Sequence, residues 1–419
     1  MNPSLIQVVG AALFAVAILH TFATRLFEHL AHARPAHAGL WHLLGEVEVV
    51  FGFWAMVLIV VMAAAEGLHA STAYLDSRGF DEPMFVFAVM VIAASRPVLR
   101  TAAAAVALLA RLLPLPGRLG LFCTLLTLTP LLGSFITEPA AMTLAALLLR
   151  EEIYAVGISK KLRYATLGVL FVNVSIGGTL TPFAAPPVLM VAGKWGLSFS
   201  MMLGTIGWKA ALAVLVNSVG AALLFRRELA TLPAHRPERF ERPVPAALVV
   251  VHLLFLAAVV AGAHHPAMFM GVFLLFLGVS HAYPQHQDRL ILREGLLVAF
   301  FLAGLVVLGG QQQWWLQPLL TGMGNDTVFV GATLLTAVTD NAALTYLGSL
   351  VEGLSDAFKY ALLTGAVTGG GLTIIANAPN PAGIAILRGQ FEDEAVSPLG
   401  LLAAALPPTL VAAAAFMLL

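Results

Sequence analysis

Runs of about 20 apolar residues, the length that crosses a bilayer core, recur near 5–23, 43–65, 83–112, 162–193, 199–225, 245–262, 267–283, 292–310, 357–388 and 396–418. They predict ten spanning helices. Two further apolar stretches, about 119–150 and 314–352, are broken midway, the first by Gly133-Ser134 and Thr137-Glu138-Pro139, the second over Thr336 to Asn341. Each reads as two half-helices meeting at a polar tip, a re-entrant hairpin. Irregular backbone at membrane depth is tolerated only where protein covers it or where it lines a cavity, so the tips belong inside the bundle.

The tips read alike. Thr137-Glu138-Pro139-Ala140-Ala141-Met142-Thr143 is matched by Thr339-Asp340-Asn341-Ala342-Ala343-Leu344-Thr345, and each heptad sets one carboxylate in apolar sequence. A charge at that depth costs several kcal/mol and is normally paired, hydrated or functional. A second matched pair follows the hairpins. Asn173-Val174-Ser175-Ile176-Gly177-Gly178-Thr179-Leu180-Thr181-Pro182 runs on to Pro186-Pro187, and Thr368-Gly369-Gly370-Gly371-Leu372-Thr373 to Asn377-Ala378-Pro379-Asn380-Pro381. Glycine weakens a helix and proline removes a backbone donor, so both segments are expected to unwind and to offer carbonyls and helix ends near the midplane. The plainer alternative is a kink that only permits close packing.

Composition agrees with a membrane chain. It is 60% hydrophobic and 11% charged, with mean hydropathy +0.92, where soluble domains carry roughly a quarter charged residues. The 22 basic and 22 acidic residues cancel, which leaves no broad cationic field for nucleic acid. Cys123 is the single cysteine, so neither an intrachain disulfide nor a cysteine-rich metal cluster can form. Met1-Asn2-Pro3-Ser4 lacks the basic start of a cleavable leader, and the first apolar run therefore reads as a span.

Basic residues collect at Arg25 and Arg34, Arg111 and Arg118, Arg150 to Arg163, Arg226 to Arg242, and Arg289 and Arg293. By the positive-inside rule those loops are cytoplasmic and both termini lie outside. Residues 1–225 then form one unit of three spans, an inward hairpin (119–150), a broken helix (162–193) and a last span (199–225). A linker over 226–244 leads to a second unit, 245–419, with an outward hairpin (314–352), a broken helix (357–388) and a span (396–418). Opposite starting sides make these inverted repeats, the usual origin of two access states in transporters. The fold class expected is an all-α polytopic membrane protein.

Hairpin tips in both halves, each followed by a Gly-Gly break ending in Pro186-Pro187 or Pro379-Asn380-Pro381, resemble the ion transporter superfamily of bacterial sodium/proton antiporters, arsenite carriers and dicarboxylate transporters. Thr339-Asp340-Asn341 is similar to the Asp-Asn tip of antiporter members, while Thr137-Glu138-Pro139 departs from it, and neither tip is the Ser-Asn-Thr of dicarboxylate members. The resemblance implies a bacterial cytoplasmic (inner) membrane, a scaffold with a mobile transport unit, and a homodimer.

The residues favour exchange of sodium or lithium for protons. Hard cations prefer oxygen, and Glu138, Asp340, Thr137 and Thr339 with the unwound carbonyls supply it, so Na+ is placed at Glu138 and Asp340. Asn341, Asn173, Thr181, Thr373 and Asn377 complete the expected ion- and proton-binding set, with backbone from Gly177, Gly178, Gly370, Gly371, Pro182 and Pro379. A carboxylate withdrawn from water takes up a proton more readily, and a cation beside it favours the charged form, so one site can hold either ion in turn. Helix capping is the bland alternative for Glu138, ahead of Pro139, and for Asp340, ahead of Asn341. Glu46, Glu48 and Arg96 are candidate proton relays, although interfacial solvation explains the two glutamates as well. No cofactor is expected: Gly369-Gly370-Gly371 lacks the ending of a phosphate loop, and the histidines lack zinc spacing. Trp314-Trp315 fit an interfacial aromatic belt. A coupled anion (dicarboxylate or arsenite-like) transporter and an intramembrane enzyme using the two acids remain the alternatives.

Overall fold

The computed structural model describes residues 3–113, 115–233 and 243–419. Residues 234–242 of the predicted linker, with Arg236, Arg239 and Arg242, and the side chain of Arg25 lie outside the described residues; the linker opens with a short helix, Arg226–Thr231. Among the described residues the chain is all α, without strands. Five helices are long and apolar enough to cross a membrane: Val47–Glu66, Leu119–Ile136, Phe199–Leu224, Leu292–Gly309 and Pro398–Leu418. Shorter apolar helices run over Leu5–Thr21, Ala246–Ala261 and Pro266–Ala282.

The window at 83–112 is not one straight element. Asp81–Ala93 and Arg96–Leu112 meet at 66°. Pro97 stands in the first turn of the second helix, where its ring and missing N–H are tolerated, whereas continuing the preceding helix through it would clash with the turn before. Arg96 sits at this bend, 8% exposed, with its guanidinium 3.9 Å from Asp288. The window at 314–352 also needs correction. It holds a separate helix, Gln313–Thr321, which carries both tryptophans, and only Asn325–Thr336 and Asn341–Ser349 form the hairpin. Gly322 and Gly324 divide the two parts.

Leu5–Thr21, Val47–Glu66 and Leu292–Gly309 form a first packed group and Ala246–Ala261 packs on Pro266–Ala282; Asp81–Ala93 lies against both and also meets the first hairpin, while the broken helices pack with Trp208–Leu224 and Pro398–Leu418. In the first group, Val47–Glu66 and Leu292–Gly309 cross at two glycines. A methyl group on Gly304 would fall on the backbone of Phe51 and Gly52, and one on Gly52 would fall on the Phe300 ring. With lipid tails as apolar as the helices themselves, such close approach is what holds the pair. Gly304→Ala is therefore expected to cost about 1–3 kcal/mol by overpacking, visible as a lower thermal midpoint of the purified protein, while Gly278→Ala, which meets nothing within 4 Å, leaves it unchanged.

Both broken helices begin with a serine cap. Ser159 accepts from Leu162 N ahead of Lys160–Gly177, and Ser355 accepts from Phe358 N ahead of Asp356–Gly369. At the foot of the first, Lys160 Nζ donates to Glu392 at 2.6 Å, and this ammonium holds the Glu392 carboxyl below its usual range. The arms of the hairpins behave differently. Leu119–Ile136 packs along Glu138–Leu149, but Asn325–Thr336 leans on Asp356–Gly369 and leaves Asn341–Ser349 to pack on Pro186–Trp195. Reciprocally, Glu138–Leu149 packs on Asn380–Leu387. Each second arm thus lies on the far half of the broken helix that follows the other hairpin, which carries both tips to one crossing.

Candidate functional site

The first tip is a single residue. Leu119–Ile136 ends at Thr137, whose φ of 73° lies in the left-handed region, and Glu138–Leu149 starts at once because Pro139 suits a first turn. A β-branched residue held there stores about 1–3 kcal/mol of strain, and the reversal turns Glu138 inward. Glu138 is 0% exposed. Its Oε2 accepts from Asn377 Nδ2 at 2.9 Å, and its Oε1 lies against Gly178, where an added Cβ would stand 2.6 Å from both Oε1 and Cγ.

The first break is stitched to that hairpin by Ser134. Its hydroxyl donates to Gly177 O at 2.7 Å and accepts from Leu180 N at 2.9 Å, and Thr181 Oγ1 donates to Ser134 O at 2.5 Å. After Gly177 the chain makes one 3-10 turn, Gly178–Leu180, then runs irregularly past Pro182 until Pro186–Trp195. In the second break Asn380 Nδ2 donates to Gly370 O and to Thr373 O, each at 2.8 Å, and Thr373 Oγ1 donates to Ala337 O at 2.8 Å. Pro379 precedes the restart at Asn380–Leu387. The second break lies tight against the first broken helix: a Cβ on Gly371 would meet the backbone and Cγ2 of Val172, and one on Gly370 would meet Ser175 Oγ and Asn341 Nδ2.

The second tip, Ala337 to Asp340, lies beside these contacts. Asp340 Oδ1 accepts from Ala342 N at 2.8 Å and Ala343 N at 3.1 Å, so the capping role holds for this acid. For Glu138 it does not, since the first-turn carboxylate turns to Asn377 instead. Asn341 N donates to Ala376 O at 3.1 Å, and Asn341 Nδ2 lies 3.4 Å from Ser175 Oγ, which itself donates to Val367 O at 2.7 Å. The acids are therefore linked through neighbouring residues: Glu138 accepts from Asn377, and Ala376, next to Asn377, accepts from Asn341 N, next to Asp340.

Two acid-bearing tips thus meet over two unwound helices inside an apolar bundle. The chain matches the family described as "Putative Na+/H+ antiporter" over residues 5–419. It belongs to that sodium/proton antiporter family. No curated protein matches it. The protein is accordingly a transmembrane ion transporter, and the match takes in both tips and both breaks.

In the antiporter several buried oxygens around the crossing have no hydrogen-bond partner among the described residues: Glu138 Oε1, Thr137 Oγ1, Asn377 Oδ1, Asn341 Oδ1 and Asn380 Oδ1. Leaving such a group bare costs about 1–3 kcal/mol, and carboxylate, amide and hydroxyl oxygens are the ligands that a hard cation prefers. Asn173 is placed elsewhere. Its amide donates to Leu126 O, Val214 O and Ser218 Oγ and its carbonyl accepts from Asn217, so it ties the broken helix to its neighbours and does not join the group. Thr339 Oγ1 turns back to Leu335 O. Glu46 is ion-paired with Arg293 at the foot of Val47–Glu66, Glu48 lies in the first turn of that helix, and Arg96 stands at the bend before Pro97, beside Asp288. Ser134, Ser175 and Asn380 bond to the tips and breaks without having been assigned from the sequence, although Ser175 and Asn380 lie within the matched motifs. No group of three His, Cys, Asp or Glu able to hold a metal occurs among the described residues.

Two cavities border these elements, one at the first break and one at the second tip. One of about 430 Å³ is bordered by Asp81, Glu82 and His264 and floored by Pro182 and Phe183 of the first break. The other, a cleft of about 20 Å³, holds Asp340 between Ile18, Thr21, Val47 and Phe301. Asp81–Ala93 begins and Ala246–Ala261 ends beside the first, whereas Leu5–Thr21 ends and Val47–Glu66 begins at the second.

Proposed function

We propose that the antiporter exchanges sodium, or lithium, for protons by alternating access, with Glu138 and Asp340 as the groups that hold either ion. The observation that carries this reading is the fully buried Glu138, with one oxygen unpartnered and the other bonded to Asn377, whose chain neighbour Ala376 accepts from Asn341 N beside the second acid. Sodium arriving at these oxygens replaces protons, the loaded unit moves, and protonation on the other side expels sodium. An empty site carrying two charges resists crossing, because uncompensated charge at membrane depth is costly, and this keeps the exchange coupled.

Wider features belong to the same proposal. The reciprocal packing of second arms on broken helices and the two serine-capped Gly-Gly breaks support a pair of inverted repeats over 1–225 and 245–419, with ten spans and two hairpins, within the ion transporter superfamily. Basic loops support termini outside in a bacterial inner membrane, and the superfamily resemblance supports a homodimer. In that orientation the larger cavity opens outward and the Asp340 cleft faces the cytoplasm, where Glu48, backed by the Glu46–Arg293 pair, is the relay for protons.

The test is reconstitution with a dye that reports lumenal pH. A sodium pulse is expected to move lumenal pH with no other solute present, and Asp340→Asn is expected to reduce this response by about tenfold or more, the loss of one charge-assisted contact. Exchange unchanged in Asp340→Asn would remove Asp340 from the site. Uptake that requires an organic or oxyanion would replace antiport by symport.

A further inference from the structure

Arg96–Leu112 leaves the preceding helix at 66°, and both of its ends stand on one side of the bundle. Arg96, at its start, lies 3.9 Å from Asp288, in the connection between Pro266–Ala282 and Leu292–Gly309. A few residues past its end, Arg118 donates its backbone N–H to Leu229 O and its Nε to Pro233 O, both in the linker. That linker joins Trp208–Leu224 to Ala246–Ala261, which turns back at 262–265 to pack against Pro266–Ala282, so Asp288 and the linker share a side. A helix with both ends there lies along the face of the bundle, the placement of an interfacial helix.

The order of residues divides this helix by face. At about 3.6 residues per turn, Arg96, Arg100 and Arg111 fall within about 60° of one another, with Ala104 and Ala107 beside them. Leu108, Leu109 and Leu112, all exposed, take the other side. Between the small, basic face and the first hairpin runs a groove of about 270 Å³, with Arg100, Ala104 and Ala107 on one wall and Leu121, Leu125 and Glu152 on the other. Leu121 and Leu125 stand one turn apart on Leu119–Ile136, so the apolar wall runs inward along that arm. Glu152 adds no net charge, because it is buried in an ion pair with Arg118, and Arg150 and Glu151 pair with each other. The charge left over along the groove is cationic, from Arg100 with Arg111 on the same face.

We propose that this groove is a binding site for one anionic phospholipid, whose phosphate meets Arg100 while an acyl chain lies along Ala104, Ala107, Leu121 and Leu125. Lipid surrounds every outward apolar face of a spanning protein, so the chain supplies packing and the head supplies selection. A guanidinium offers five N–H groups in a planar fork, enough to bind phosphate oxygens beside any contact Arg100 makes within the chain. In a zwitterionic lipid the ammonium of the head cancels the charge that Arg100 would meet. The far wall belongs to the hairpin that ends at Glu138, so the lipid bridges Arg96–Leu112 to that hairpin. Its binding can be read without transport and holds whether or not the two acids exchange ions.

The experiment takes the full chain, delipidated in a neutral detergent, and titrates it with phosphatidylglycerol or with phosphatidylcholine of the same acyl chains, counting bound lipid by native mass spectrometry. The first phosphatidylglycerol is expected to bind roughly fivefold more tightly than phosphatidylcholine, the effect of about one arginine at an anionic head. Arg100→Gln is expected to bring the two lipids level. Ala107→Phe, which fills the groove from an exposed position and removes no hydrogen bond, is expected to lose that binding, whereas Leu108→Phe on the opposite face keeps it. Glycerol 3-phosphate, a head without chains, is expected not to compete. Equal affinity for the two lipids in the parent protein, unchanged binding in Ala107→Phe, or full displacement by glycerol 3-phosphate overturns the site; Ala107→Phe decides alone if Arg100→Gln fails to fold.

Discussion

Glu138→Gln is expected to abolish sodium-evoked proton movement in proteoliposomes while the protein still folds. The amide keeps the shape of the side chain and can still face Asn377, so packing around the crossing is preserved. What disappears is the negative charge and the group that takes up the proton. A charged partner lost from a buried, dehydrated site costs about 2–5 kcal/mol, which corresponds to a sodium affinity lower by at least roughly thirtyfold. Because the same group would hold the proton in exchange, raising sodium should not restore coupled proton flux. Lumenal pH recordings over a sodium series check this, with a thermal melt to confirm folding. Full exchange at saturating sodium would show that the carboxylate is a structural element of the tip, and the site would have to be sought elsewhere.

Gly178→Ala carries the second-largest expected effect, by a different route. The added methyl would stand 2.6 Å from Cγ and Oε1 of Glu138 and 3.0 Å from Cδ, distances that no real contact sustains. A side chain on the surface would swing away, but Glu138 is enclosed and held by Asn377, so the carboxylate must leave its position. Displacement by about 1 Å is enough to cost on the order of 100-fold in a preorganised site, and exchange is expected to fall by that order while stability falls by about 1–3 kcal/mol. Its neighbour separates the two effects. A methyl on Gly177 meets the backbone of Pro130 at 2.8 Å, which cannot yield, so Gly177→Ala is expected to lower the melting point more than Gly178→Ala does. Shortening the acid in the double variant Gly178→Ala with Glu138→Asp should recover part of the exchange lost in Gly178→Ala. Additive losses in that cycle would mean that the two residues do not couple.

Hydropathy located the helices because crossing a bilayer demands length and apolarity, both of which are written in the order of residues. It misjudged two places where a local break sits inside an apolar run. At 83–112 the signal was Pro97, which ends one helix and starts another, and at 314–352 it was Gly322 and Gly324, which set Gln313–Thr321 apart. The matched motifs named Glu138, Asp340, Asn341 and Asn377, and the structure brings all four to one crossing. Asn173 shows the limit of that reasoning. It lies in the same motif as Gly177, yet one turn of helix earlier its side chain points to Asn217 and Ser218 and serves packing.

The order of residues alone settled that this chain is apolar, helical, and twice interrupted by an acid at a polar tip and twice by a glycine-proline break. Those are properties of single segments, governed by transfer to lipid and by local backbone preference. Only the tertiary arrangement decided that the tips meet, that Ser134 and Ser175 sew them to the breaks, and that Glu138 Oε1 and side-chain oxygens of Thr137, Asn377, Asn341 and Asn380 are left without a hydrogen-bond partner among the described residues. Each of these joins residues far apart in the chain, and their partners are chosen by how close two backbones can come. Gly178, Gly370 and Gly371 permit that approach, but a glycine in the sequence does not say which neighbour it admits.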